Sequence, residues 1–135
     1  MAKTAIIIGA TGLTGGLLLQ GLLEDNRYQK IKLFSRNTCN IRHPKIEEHL
    51  IDLFELEKQQ HLFIADEVFC CIGTTKAKTP NEEQYLKIDY AIPAALARLC
   101  RKMGIPTFLV ISALGANKKS KIFYNRTKGR MEEEV

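Results

Sequence analysis

From Ala5 to Ile8 the chain runs through four apolar residues with no polar face, the pattern of a central parallel strand buried on both sides. Glycines at 9, 12 and 15 interrupt that run, and the apolar stretch LTGGLLLQGLLED that follows reads as a helix. Further along, IKLFS (Ile31 to Ser35) reads as a second strand, HPKIEEHLIDL contains a third, EVFCCIG from Glu67 is a fourth, and TFLVIS (Thr107 to Ser112) is a fifth. Between the last two lies a long helical pattern with Asn81 as its N-cap and Gly104 as its stop signal. Pro93 falls inside it and should kink that helix or begin a second segment. Strands alternating with helices imply right-handed crossovers and an α/β, doubly wound parallel sheet of order 3-2-1-4-5, in one domain over residues 1–135.

The glycine spacing adds chemistry to that outline. Gly9 can take backbone angles that a side chain forbids, Gly12 lets the chain approach a diphosphate closely, and Gly15 lets the helix pack hard on the strand. The helix points its free N–H groups and the positive end of its dipole back at the loop, and no acidic side chain blocks it. Strand, glycine turn and helix in that order form the fingerprint of a Rossmann-type dinucleotide-binding domain, with Gly9, Thr11, Gly12, Leu13 and Gly15 as the candidate cofactor-binding positions of the turn. A Gly-rich turn entering a helix is the bland alternative. The ATPase loop GxxxxGK[ST] is excluded, because Gly16 and Leu17 follow Gly15.

The residue after the second strand selects the nucleotide. NAD-binding sites carry Asp or Glu there for the ribose 2'-hydroxyl, whereas this strand ends Phe34-Ser35-Arg36. A guanidinium suits the 2'-phosphate of NADP, and Ser35 can donate a further bond, so NADP(H) is expected over NAD(H). A solvated surface arginine is the competing reading. Asp52 stands where a carboxylate can meet the adenine amino group, and equally where it can cap a helix FELEKQQ. Near the end of the chain, Ser112 closes the fifth strand and Tyr124 and Lys128 form YxxxK, one face of a helix. A neighbouring ammonium favours the phenolate, so Tyr124 can pass a proton while Ser112 holds the substrate oxygen and Lys128 holds the ribose.

Composition changes little. The 135 residues, 45% hydrophobic, suffice for one core but are few for a complete nucleotide-dependent oxidoreductase. Cys39, Cys70, Cys71 and Cys100 lack metal-ligand spacing and read as reduced core thiols, while His43, His49 and His61 read as surface residues. The 20 basic against 15 acidic side chains suit an anionic cofactor. The cluster Lys118, Lys119, Lys121, Arg126, Lys128 and Arg130 is interleaved with glutamates and lacks a nucleic-acid motif, so nucleic acid is not expected. The opening MAKTAIII is too short for a signal peptide or a membrane span, which predicts a cytoplasmic protein without membrane partners.

The GxxGxxG spacing, Ser112 and the YxxxK pair resemble the short-chain dehydrogenase/reductase superfamily, whose catalytic set is serine, tyrosine and lysine. CCIGTTKAK (Cys70 to Lys78) and SALGANKKSKIFYNRTKGRMEEEV (Ser112 to Val135) are similar to stretches of its atypical branch that contains the Tat-interacting protein, and the likeness spans the whole chain. It implies that Cys71, Ile72, Gly73 and Thr74 line the cofactor, and that the chain is an NADP(H)-dependent oxidoreductase acting on a small carbonyl or alcohol. Asp89 stands about where extended members carry a helical asparagine, which leaves open a catalytically silent, NADPH-responsive module working through a protein partner. In such proteins another strand and substrate-covering segments follow the YxxxK helix, so the C-terminal part is expected to be missing and the chain alone inactive.

Overall fold

In the computed structural model, which describes residues 2–72, 83 and 87–110, Ala5 to Ile8 are fully buried in the central strand β1 (Lys3–Ile8). It is flanked on one side by β2 (Tyr28–Ser35) and β3 (Ile46–Leu50), and on the other by β4 (Glu67–Cys70) and β5 (Thr107–Val110). All four pairings are parallel and the order is β3-β2-β1-β4-β5, as the alternation of elements implies. Each face of the sheet has its own core because successive side chains point oppositely. Ala5, Ile7, Ile31 and Leu33 pack under α1 (Leu13–Leu23) through Leu19 and Leu22. Ile6, Ile8, Phe34, Val68 and Cys70 pack on the other face under α2 (Ile92–Met103), through Leu96, Leu99 and Cys100. Helices on opposite faces make the sheet doubly wound.

Several boundaries move. β2 begins at Tyr28 rather than Ile31, because Tyr28 pairs with Lys3 and is buried although the exposed Gln29 and Lys30 interrupt the apolar pattern. Its hydroxyl donates a hydrogen bond to Glu67, which also takes a salt bridge from Lys3 at 3.4 Å. Pro93 begins a second segment. A π-helical turn, Lys87–Ala91, precedes it, and Pro93 sits in the first turn of α2, where its missing N–H costs no helical bond. Gly104 ends α2 with φ +70° and donates to Arg101 O at 3.3 Å, an ending that favours glycine. Asn81, the expected cap, lies outside the described residues. The FELEKQQ stretch is a kinked 3-10 segment (Leu53–Leu62) rather than a regular helix, with Glu55 and Gln59 outside helical angles.

His49 corrects the surface reading of the histidines. It is half-buried on β3, with its ring stacked 5.2 Å from Phe34 across the register pair and its Nε2 2.7 Å from Glu47. Phe34 in turn stacks on Phe63 at 5.0 Å, so an imidazole closes the edge of an aromatic row. Cys70 and Cys100 are core thiols, and burial pushes Cys100 up to about 11. Cys39 and Cys71 are half-buried. Among the described residues no helix is long and apolar enough to cross a membrane.

Candidate dinucleotide site

The carboxyl ends of β1, β2 and β4 meet above the sheet, the place where doubly wound folds hold ligands. There a cavity of about 200 Å³ gathers three strand-end loops. The turn after β1 contributes Gly9, Thr11 and Gly12, the end of β2 contributes Ser35, Arg36 and Asn37, and the end of β4 contributes Cys71 and Ile72. Leu53 closes it from the 3-10 segment. A larger cavity of about 400 Å³ lies between the 3-10 segment and α2; among the described residues it shares only Leu53 with the first and holds none of the site residues expected from the sequence.

Each glycine of the turn meets a different constraint. Gly9 has φ +93°, and a Cβ there would come within 2.9 Å of the Cys71 carbonyl carbon, so this residue lets the β1 turn lie against the end of β4. At Gly12 a Cβ would meet only Gly9 O among the described residues, at 3.5 Å, an ordinary contact that leaves its main chain open to a ligand on that side. Gly15 is the tightest. A Cβ there would collide with Gly9 O and stand 2.7 Å from Gly9 C, so the first turn of α1 packs on the loop itself rather than on the strand behind it. Gly12 caps α1 with no side-chain hydrogen bond, and the first turn has no acidic residue, which leaves the positive end of the helix facing the cavity mouth. Leu13 offers only its main chain, since its side chain is 83% exposed and does not line the cavity.

On the β2 side the roles shift. Ser35 lines the cavity, but its one hydroxyl hydrogen goes to Asn37 O at 2.6 Å, so the expected donor to a 2'-phosphate is a bond within the loop. Arg36 is exposed at the rim, and among the described residues its guanidinium has no ion-pair partner. Asp52 does what its capping reading foresaw: its carboxylate accepts from Phe54 N at 2.9 Å at the start of the 3-10 segment, outside the cavity lining. Burial raises the Cys71 thiol above its ordinary range, so it stays protonated at neutral pH and presents a small apolar wall. Gly73, Thr74, Ser112, Tyr124 and Lys128 lie outside the described residues. Among the described residues, two that line the cavity escaped the sequence reading. Asn37 directly follows Arg36 and could have been found by extending the strand-end argument one residue, whereas Leu53 reads in sequence as an ordinary core position.

A profile of the NAD(P)H-binding family matches residues 9–134. The chain belongs to that family. Among curated proteins, Protein FMP52, mitochondrial, of Debaryomyces hansenii is 33% identical over 135 residues, covering 98% of this chain and 59% of that protein. The rat Protein HTATIP2 is 29% identical over 137 residues, covering 98% of this chain and 56% of that protein. The chain thus spans less than two thirds of the length of the relatives it matches. Among solved structures, the Bordetella bronchiseptica enzyme WbmG in complex with NAD superposes with a TM-score of 0.80 at 14% identity, covering 99% of this chain and 49% of that one. The fold is therefore that of the short-chain dehydrogenase/reductases, and the resemblance to their atypical branch stands. The cytoplasmic expectation does not. The Debaryomyces relative and those of Meyerozyma guilliermondii and Aspergillus fumigatus are all designated mitochondrial, so the short apolar N-terminus was no guide to compartment.

Proposed function

We propose that the chain is the NADP(H)-binding part of an oxidoreductase that transfers hydride to or from a small carbonyl or alcohol substrate. The observation that carries this reading is the cavity where the glycine turn, the start of α1 without a side-chain cap and the exposed Arg36 converge. The first two suit a diphosphate, and a fork of N–H donors suits a 2'-phosphate. When bound, the nicotinamide supplies the hydride chemistry, and the protein supplies position and proton. Ser112 would hold the substrate oxygen, Tyr124 would exchange the proton with it, and Lys128 would favour the phenolate and hold the ribose. Asp89, in place of the asparagine that extended members carry, favours a second reading as an NADPH-responsive module acting through a protein partner.

Calorimetric titration tests the cofactor reading. NADPH should bind more tightly than NADH, and Arg36→Glu should reverse the order, since a carboxylate repels the 2'-phosphate and accepts from a 2'-hydroxyl. Equal affinities, or an unchanged ratio in the variant, would remove the argument. In the full-length protein, Tyr124→Phe should abolish NADPH-dependent carbonyl reduction while leaving NADPH affinity nearly intact. Wild-type turnover in that variant would end the catalytic assignment, and no turnover on any carbonyl by the wild-type protein would favour the second reading.

A further inference from the structure

The segment that carries Arg36 is fastened on both sides, and one fastener comes from a neighbouring strand that no site motif includes. Upstream, Ser35 Oγ donates to Asn37 O at 2.6 Å, while Ile51 N donates to Ser35 O at 2.9 Å. Downstream, the Glu48 carboxylate on β3 accepts from the Thr38 hydroxyl at 2.7 Å and from Cys39 N at 3.0 Å, one bond to each oxygen. Thr38 Oγ1 also accepts from Asn40 N at 3.1 Å, and Asn40 turns the chain with φ +58°. The Cys39 side chain packs against the core under α1. These two donors hold the Glu48 carboxyl below the usual carboxylate range, so it is ionised at neutral pH. Between the fasteners, Arg36 and Asn37 are left facing the cavity with their main chain fixed.

We propose that Glu48 is a positioning residue for cofactor discrimination: by gripping Thr38 and Cys39 it fixes the loop that holds Arg36 and Asn37 at the 2'-position of the adenosine ribose. The proposal rests on the reading of Arg36 as the 2'-phosphate ligand. A loop that is already ordered loses less freedom on binding, and that gain falls on the contact the loop makes. The diphosphate contacts come from the β1 turn and α1, outside the grip of Glu48. Loss of Glu48 therefore weakens NADPH selectively, whereas general damage to the domain would weaken both cofactors alike.

The test is a titration of NADPH and NADH against the wild-type protein, Glu48→Ala, Glu48→Gln, Thr38→Val and Arg36→Ala, with each variant's fold checked by circular dichroism. Glu48→Ala should weaken NADPH about tenfold and leave NADH within about twofold. Glu48→Gln can still accept from Cys39 N and pair with the Thr38 hydroxyl, so it should keep the wild-type ratio. Thr38→Val, at an exposed side chain that removes one bond, should lower the ratio part-way and supplies the same test if the alanine variant does not fold. If Arg36→Ala erases the preference while Glu48→Ala and Thr38→Val keep it, the positioning role falls and the Arg36 reading stands. If the wild-type protein shows no preference and Arg36→Ala changes nothing, both fall together.

Discussion

Replacing Gly15 with alanine adds one methyl group where the structure has no room for it. The new Cβ would overlap Gly9 O and lie 2.7 Å from Gly9 C and 3.0 Å from Ala10 Cα. All three are main-chain atoms, so no side chain can swing aside, and relief requires moving α1 or the Gly9 turn. Overpacking of this kind costs about 1–3 kcal/mol. Against it stands the intrinsic gain of alanine over glycine within a helix, about 1 kcal/mol. With rigid obstacles the upper end of the first range applies, and the net loss should be about 2 kcal/mol, or roughly 5–10 °C in Tm for a domain of this size. NADPH affinity should fall as well, because the displaced atoms belong to the cavity wall. Gly21→Ala on the same helix is the control, since a Cβ there meets nothing within 4 Å among the described residues. It should stabilise by up to about 1 kcal/mol. Urea denaturation of the two variants followed by circular dichroism, with NADPH titration alongside, reads both effects. Equal shifts of the same sign, or a Gly15→Ala protein as stable as the parent, would refute the packing argument.

Tyr28→Phe should cost about 1.5 kcal/mol in urea denaturation, since it leaves the half-buried Glu67 without its phenol donor. Desolvation, then the Glu67 hydrogen bond, hold that phenol protonated up to about 12. The unfolded phenol ionises first, so unfolding releases a proton between about pH 10 and 12 and stability falls with rising pH across that window. The Phe variant should lose that slope, and an unchanged alkaline profile would contradict the assignment. Asp52→Ala should cost about 1 kcal/mol by removing the cap on Phe54 N, while Asp52→Asn should cost little. A loss of dinucleotide affinity in the Asn variant, at unchanged stability, would instead place the carboxylate on the adenine.

The central strand, its glycine turn and the sheet order were legible because their signals are local or combinatorial: an unbroken apolar run, glycines three residues apart, and strands alternating with helices. Tyr28 was missed because its burial depends on pairing with Lys3 and on Glu67, partners that periodicity within the strand does not contain. His49 was missed for the same reason, its burial being set by Phe34 on the adjacent strand. At the site, the convergence of Gly9, Gly12 and Arg36 on one cavity was readable from residue type at a strand end. The diversion of the Ser35 hydroxyl to Asn37 and the grip of Glu48 on Thr38 and Cys39 depend on how a loop folds back on its neighbours, which neither propensity nor spacing encodes.

Gly9 and Cys71 touch although most of the sheet lies between them in sequence, so the cavity exists only when β1, β2 and β4 are assembled. A dinucleotide reaching across it recognises the folded chain and not the unfolded one. Its binding energy then adds directly to folding, by about 2.7 kcal/mol at a concentration 100 times Kd. Against a typical stability of about 5–15 kcal/mol, that addition is large. The supply of reduced nucleotide in the surrounding compartment would thus govern how long the protein survives proteolysis as well as what it does, and a fall in that supply would thin its population before any change in synthesis.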